Sequence, residues 1–286
     1  MKVITAAATG MCFGVRDALE TLSGLDEPRS VAIYGELVHN ETVLYQLQTR
    51  GFQQVAETER TTIPAASQIV ITAHGISDRR RQTLVAAGKS LIDTTCPLVT
   101  RLHRAARELA EANVFVVVIG RADHVEVQGV TDDLESFAVV RSVADVGTYS
   151  AKRIGIVSQT TFPTAEAAAI RRQIAASNPT ATIQWIDTIC QPTKDRQQAL
   201  NELLAQVRTV VVVGGRQSHN TLHLVSTCRQ SGAKVFHVEQ PIELDPNWFE
   251  GVETVGLTAG TSTLPETLLQ VHDRLVAIAS HEPCPH

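Results

Sequence analysis

A chain of 286 residues with 43% hydrophobic and 19% charged side chains has the makeup of a globular protein, and its length allows about two ordinary cores. A formal net charge of −5 without any run of Lys and Arg excludes nonspecific nucleic-acid binding, which needs a basic face to displace counterions. The longest apolar run, Val114 to Ile119, is far short of the ~20 residues of a membrane helix, and no leader-like apolar region follows Lys2, so the expected compartment is the cytoplasm.

In chain order, the first strand (KVIT) runs through small residues to Cys12, and VRDALETLSGL then carries Val15, Leu19 and Leu22 at helical spacing up to Gly24. A second strand over 31–34 leads through Gly35 to His39-Asn40, and ETVLYQLQTRGF forms a helix that stops at Gly51. QIVITAHGIS is a strand ending in His74. SLIDTTCPLVT, residues 90–100, is a strand that delivers Cys96 and opens the helix LVTRLHRAARELAEAN.

The middle of the chain repeats this order. VFVVVIGRADHVEVQG passes from strand through Gly120 to His124-Val125-Glu126, and RIGIVSQTTF ends in Ser158-Gln159-Thr160 before the helix FPTAEAAAIRRQIAASNP. IQWIDTICQPT then delivers Cys190 and the helix TKDRQQALNELLAQV. A third round follows with VVVVGGRQSHNT, carrying Ser218-His219-Asn220, the helix NTLHLVSTCRQSGA, the strand VGLTAGTST with Ser262, and the helix PETLLQVHDRLVAIAS. This round lacks its own cysteine motif, and Cys12 at the start of the chain completes it by circular permutation.

Strands alternating with helices predict three α/β units with mostly parallel sheets and right-handed crossovers. Their expected spans are 13–96, 97–190, and 191–280 together with 1–12, leaving a tail at 281–286. In such sheets ligands lie beyond the carboxyl ends of the strands, where helix N-termini offer unpaired N–H groups to anions. The polar loops lie at these ends. His39, His74, His124, Thr160, Ser218, His219, Asn220 and Ser262 are mostly neutral donors suited to phosphate oxygens.

Five cysteines, odd in number and widely spaced, read as reduced thiols or metal ligands and not as a disulfide framework. Cys12, Cys96 and Cys190 occupy equivalent strand ends. Three thiolates without a local CxxC fit zinc with an open position, or an iron–sulfur cluster with one iron lacking a protein ligand. Cys228 falls inside a helical pattern and Cys284 in the tail, and both read as ordinary cysteines. Glu126 beside His124 in an anion-facing loop is a candidate proton relay, because burial and nearby negative charge raise a carboxyl pKa. His103, His223, His237, His272 and His281 have no match in the repeat and read as surface or partly buried residues.

The ordered set GMCFGV, GELVHN, AHGIS, DTTCPLV, HVEVQG, SQTT, TIC…T..RQ, SHN and TAGTS, spanning about residues 2–275, resembles the LytB/IspH family of 4-hydroxy-3-methylbut-2-enyl diphosphate reductases. The resemblance implies a trefoil of three α/β units around a central [4Fe–4S] cluster held by Cys12, Cys96 and Cys190. It implies diphosphate contacts from His39, His74, Ser218, Asn220 and Ser262, with His219 in the same pocket. His124 would lie near the substrate hydroxyl, with Glu126 as proton donor and Thr160 as its supporting hydroxyl. The implied reaction is reductive loss of the allylic hydroxyl as water, yielding isopentenyl and dimethylallyl diphosphates. The chain shows no flavin or nucleotide motif, so the electron donor it implies is a ferredoxin or flavodoxin.

The chain departs from the family pattern at four places. Val125 stands where His-Pro-Glu is usual, His219 where Ser-Ser-Asn is usual, and Phe13 where Cys-Ala-Gly is usual; the 261–266 loop is one residue longer. Several of these positions would line the anion pocket, so a relative reducing a different allylic or anionic substrate is an alternative. Two other classes use the same residues: an iron–sulfur sensor without catalysis, and a cofactor-free isomerase with opposed cysteines.

Overall fold

The computed structural model describes residues 1–38 and 40–280, with His219 described by its backbone alone. Among these described residues twelve strands form three four-stranded sheets, all of whose pairings are parallel. One sheet has β2 (Val31–Tyr34), β3 (Gln53–Val55), β4 (Gln68–Ile71) and β5 (Ser90–Asp93) in the order β3-β2-β4-β5. A second has β6 (Phe115–Ile119), β7 (Phe137–Val140), β8 (Arg153–Ser158) and β9 (Thr182–Trp185) in the order β7-β6-β8-β9.

The third sheet contains β10 (Thr209–Val213), β11 (Lys234–Val238) and β12 (Thr254–Ala259), and its fourth strand is β1 (Lys2–Thr5). β1 pairs with β12 in the register Lys2 to Thr254 through Thr5 to Leu257. Read from the cysteine-bearing strand, the orders are β5-β4-β2-β3, β9-β8-β6-β7 and β1-β12-β10-β11, one topology three times over. The N-terminal strand thus fills the place that the third round leaves vacant.

Among the described residues nine α-helices follow the strand ends: α1 (Phe13–Ser23), α2 (Glu41–Arg50), α3 (Asp78–Ala86), α4 (Pro97–Glu111), α5 (Val125–Thr131), α6 (Thr164–Ser177), α7 (Gln191–Leu204), α8 (His219–Gln230) and α9 (Pro265–Ser280). The helices after His74 and His124, α3 and α5, go beyond the sequence expectation. Their sequences, DRRRQTLVA and VEVQGVT, are too polar or too short to show a helical stripe. Strands β3, β7 and β11 also escaped it, being three to five residues long with partly exposed edges.

The central strands explain why the sheets form. Val210–Val213 and Val116–Ile119 are fully buried runs of β-branched residues, covered by helices on both faces as parallel sheets require. Each such side chain contributes roughly 1.5–3 kcal/mol relative to exposure. Leu102, Ala106, Leu109, Val127 and Val130 pack on one face of the second sheet, and Ile170, Ile174 and Phe162 on the other.

The chain divides into two compact units, coarser than the three spans expected from the repeat. One consists of the described residues of Met1–Arg16, His39–Val43 and Lys194–His286; the other comprises Asp17–Val38 and Leu44–Thr193 and so holds the first two sheets together. Within that second unit, the turn after α5 caps the helix of the neighbouring sheet. Asp133 accepts the backbone N–H groups of Asp78 (2.7 Å) and Arg79 (3.0 Å), and the Ser77 hydroxyl donates to Asp132. Among the described residues no helix is long and apolar enough to cross a membrane.

Candidate functional site

In the unit of the first two sheets, the chemistry gathers at the carboxyl ends of β6 and β8. Gly120 ends β6 without a side chain because a Cβ there would stand 2.8 Å from Val127 and 3.1 Å from Gln159. The following turn places His124 as the N-cap of α5, where its Nδ1 accepts the Glu126 N–H at 3.1 Å. A neutral ring that accepts at Nδ1 carries its proton on Nε2, so His124 presents an N–H donor at its far end.

Glu126 is 2% exposed. Its carboxyl accepts the Thr160 backbone N–H at 2.6 Å and the Thr160 hydroxyl at 2.8 Å. Burial disfavours the carboxylate and pushes its pKa up to about 7, against the smaller opposing effect of the two Thr160 hydrogen bonds. The side chain therefore holds a proton near neutral pH and can release it. His74, at the end of β4, meets His124 edge to face with ring centroids 5.8 Å apart. A cleft of about 920 Å³ in this unit is lined by Gly75, Asp123 and Val125, the neighbours of both histidines, together with Arg60 and Arg80.

His103 of α4 is less ordinary than its sequence suggested. Its ring lies 3.6 Å from where a Cβ on Gly75 would stand and 3.3 Å from one on Gly129, so both glycines are the space it occupies. Burial pushes its pKa down to about 4, and Nε2 is buried without a hydrogen-bond partner. It packs as a neutral spacer between the His74 turn and α5.

In the other unit the polar groups gather beyond β10 and β12. Ser218 caps α8, its Oγ accepting the Thr221 N–H at 3.4 Å, which leaves the hydroxyl proton to donate outward. Asn220 is 7% exposed and accepts the Thr261 N–H at 3.0 Å through Oδ1, which leaves its NH₂ as a donor. Ser262 is buried, and its carbonyl accepts from Asn40 Nδ2 at 2.7 Å. Asn40 was legible only as the neighbour of His39. Its amide ties the β2 loop to the β12 loop within this unit. His39 and the side chain of His219 lie outside the described residues, as do His281 and Cys284 in the 281–286 tail.

The three cysteines share one backbone contact. Cys96 N–H donates to the Ala73 carbonyl (3.1 Å), Cys190 N–H to Thr160 (2.9 Å) and Cys12 N–H to Thr261 (3.1 Å). Each acceptor lies two residues past the end of its strand, β4, β8 or β12. All three thiols are half-buried, whereas Cys228 is fully buried in α8 and its thiol is pushed up to about 12 by desolvation. Three half-buried thiols suit a soft metal group. Among the described residues no three His, Cys, Asp or Glu side chains group around a single-ion position.

A family model described as LytB protein matches residues 3–276. The chain belongs to the LytB family. It is similar to the 4-hydroxy-3-methylbut-2-enyl diphosphate reductase of Cutibacterium acnes, at 34% identity over 96% of this chain and 87% of that one. The enzyme of the same name from Dehalococcoides mccartyi is 33% identical over 98% of this chain and 99% of its own. Two solved LytB-type structures superpose on it. One, a (E)-4-hydroxy-3-methyl-but-2-enyl diphosphate reductase described as the terminal enzyme of the non-mevalonate pathway, gives a TM-score of 0.69 at 31% identity, covering 97% of this chain and all of the other. The Plasmodium falciparum reductase gives 0.87 at 26% identity, over 99% of this chain and 89% of its own.

Proposed function

We propose that this LytB-family chain is an iron–sulfur oxidoreductase that reduces 4-hydroxy-3-methylbut-2-enyl diphosphate to isopentenyl and dimethylallyl diphosphates, with water as the second product. The step consumes two electrons and two protons per hydroxyl removed. Family membership carries the reaction class, and the observation in this chain that supports it is Glu126, buried and gripped by both donors of Thr160. A carboxyl that is neutral near pH 7 is the acid that departure of a hydroxyl as water requires.

Cys12, Cys96 and Cys190 are the residues proposed to hold a [4Fe–4S] cluster, which when bound supplies electrons and a Lewis-acidic iron free of a protein ligand. The matched backbone contact of the three cysteines supports this assignment. Glu126 delivers the proton from its carboxyl to the leaving oxygen. Thr160 orients that carboxyl, and His124 donates through Nε2–H beside it. Ser218, Asn220 and Ser262, with the N-terminus of α8, are proposed to bind the diphosphate through neutral donors, together with His39, His74 and His219. Electrons are proposed to come from a ferredoxin or flavodoxin, and the cytoplasm is the proposed compartment.

Anaerobic purification followed by turnover of the hydroxymethylbutenyl diphosphate with a chemical reductant tests the reading. Formation of both five-carbon diphosphates is expected. An iron-replete protein that leaves this substrate untouched would point to a different allylic substrate or to a sensor.

A further inference from the structure

The three cysteine turns are anchored in two different ways. In the shared I-D-T-x-C stretch, Asp93 Oδ1 accepts the Thr95 N–H at 3.0 Å, and Asp187 Oδ1 accepts the Ile189 N–H at 3.2 Å. The next residue adds a second anchor in each case. The Thr94 hydroxyl donates to the Ile71 carbonyl and the Thr188 hydroxyl to the Ser158 carbonyl, both at 2.6 Å, and these acceptors are the last residues of β4 and β8. The turns before Cys96 and Cys190 are therefore held from within by their own aspartate and threonine.

The turn before Cys12 has neither anchor. Thr9 stands at the aspartate position, and its Oγ1 is buried without a hydrogen-bond partner. Gly10 stands at the threonine position with φ +72°, so it has no hydroxyl to donate, and its backbone lies where other residues are strained. Its N–H still reaches the last residue of β12, Ala259, at 3.3 Å, as the Thr94 N–H reaches Ile71 at 3.0 Å. What replaces the missing side-chain anchors comes from 186 residues away. Arg196, on α7 and only 7% exposed, directs Nη2 (2.7 Å) and Nε (3.2 Å) at the Gly10 carbonyl.

We propose that Arg196 is a positioning residue for Cys12, an external clamp standing in for the internal Asp and Thr anchors of the other two cysteines. The inference rests on the reading of Cys12 as a cluster ligand. Two N–H donors on one carbonyl fix both the distance and the plane of the turn, and a guanidinium does this with a rigid fork that a lysine lacks. The clamp also lies on the helix that Cys190 leads into, since α7 begins at Gln191. The cluster-binding turn without local turn chemistry is thus held from the element that another cysteine opens.

The test compares wild type, Arg196→Gln and Arg196→Lys as full-length proteins by two measurements. The first is the rate of iron release to a chelator from the anaerobic holoprotein. The second is the alkylation rate of each cysteine after iron removal, resolved by peptide mass spectrometry. Arg196→Gln is expected to release iron about tenfold or more faster and to raise Cys12 alkylation severalfold, with Cys96 and Cys190 unchanged. Arg196→Lys, which keeps the charge but offers a single nitrogen in place of the two-nitrogen fork, is expected to fall between and carries the test should the glutamine variant fail to fold. Unchanged Cys12 reactivity in the variants overturns the proposal, as does a uniform rise at all three cysteines. Failure of the cluster reading shows separately, as a wild type without iron.

Discussion

Thr160 uses all of its polar groups at once: its N–H and hydroxyl both donate to Glu126, and its carbonyl accepts the N–H of Cys190. One residue thereby links the buried acid to the turn that carries a proposed cluster ligand. The acid's proton affinity and the geometry of that turn share a backbone.

Glu126→Gln should keep the shape and the Thr160 contacts, since the hydroxyl can reverse to donate or accept, while removing the transferable proton of this carboxyl. Turnover is expected to fall by roughly 10²–10⁴, the usual worth of general acid catalysis, with substrate binding retained. In wild type, turnover should decline as pH rises through about 7, where Glu126 loses its proton. Turnover in the glutamine variant within a few-fold of wild type would place the acid elsewhere.

The same raised pKa affects folding. Below its ordinary value of 4.5, Glu126 is protonated whether the chain is folded or not. Between 4.5 and about 7 only the unfolded chain releases the proton, so stability falls as pH rises across that window and levels off above it. The expected loss is about 3 kcal/mol. Urea unfolding of wild type against Glu126→Gln at pH 5 and pH 8 reads this difference, and equal pH responses would sink it.

Thr160→Val removes the hydroxyl and leaves the backbone donor. Because that hydroxyl lowers the Glu126 pKa, its loss should move the descending limb of the pH–rate profile to higher pH. A profile displaced to lower pH would contradict the assigned donor.

The cysteines should separate cleanly. Replacing Cys12, Cys96 or Cys190 by serine is expected to strip iron and the brown chromophore, measured as iron and sulfide per chain. Cys228→Ser should retain both while costing about 1–3 kcal/mol, because a hydroxyl then replaces a thiol packed against Leu224, Val225 and Val212. Iron loss in Cys228→Ser without unfolding would reassign the ligands.

Asp133→Ala should uncap α3, leaving the Asp78 and Arg79 N–H groups without their carboxylate. A loss of about 1–2 kcal/mol in urea unfolding is expected, comparable to removal of an N-cap.

Much of this was written in the order of the residues. Each strand run is followed by its polar loop, and I-D-T-x-C recurs before Cys96 and Cys190, so the repeat, the parallel α/β class and the permuted role of Cys12 follow from periodicity and spacing alone. Short-range chemistry is local, and a sequence displays it directly. The structure decided what depends on distant partners. The edge strands β3, β7 and β11 form because a neighbouring strand offers them hydrogen bonds, and α3 holds its N-terminus through Asp133, contributed by the neighbouring sheet. Burial raises the Glu126 pKa, and no neighbour in the sequence carries that information. Likewise Arg196 and Gly10 lie far apart in the chain, and only the folded backbone turns a guanidinium on α7 into the anchor of the Cys12 turn.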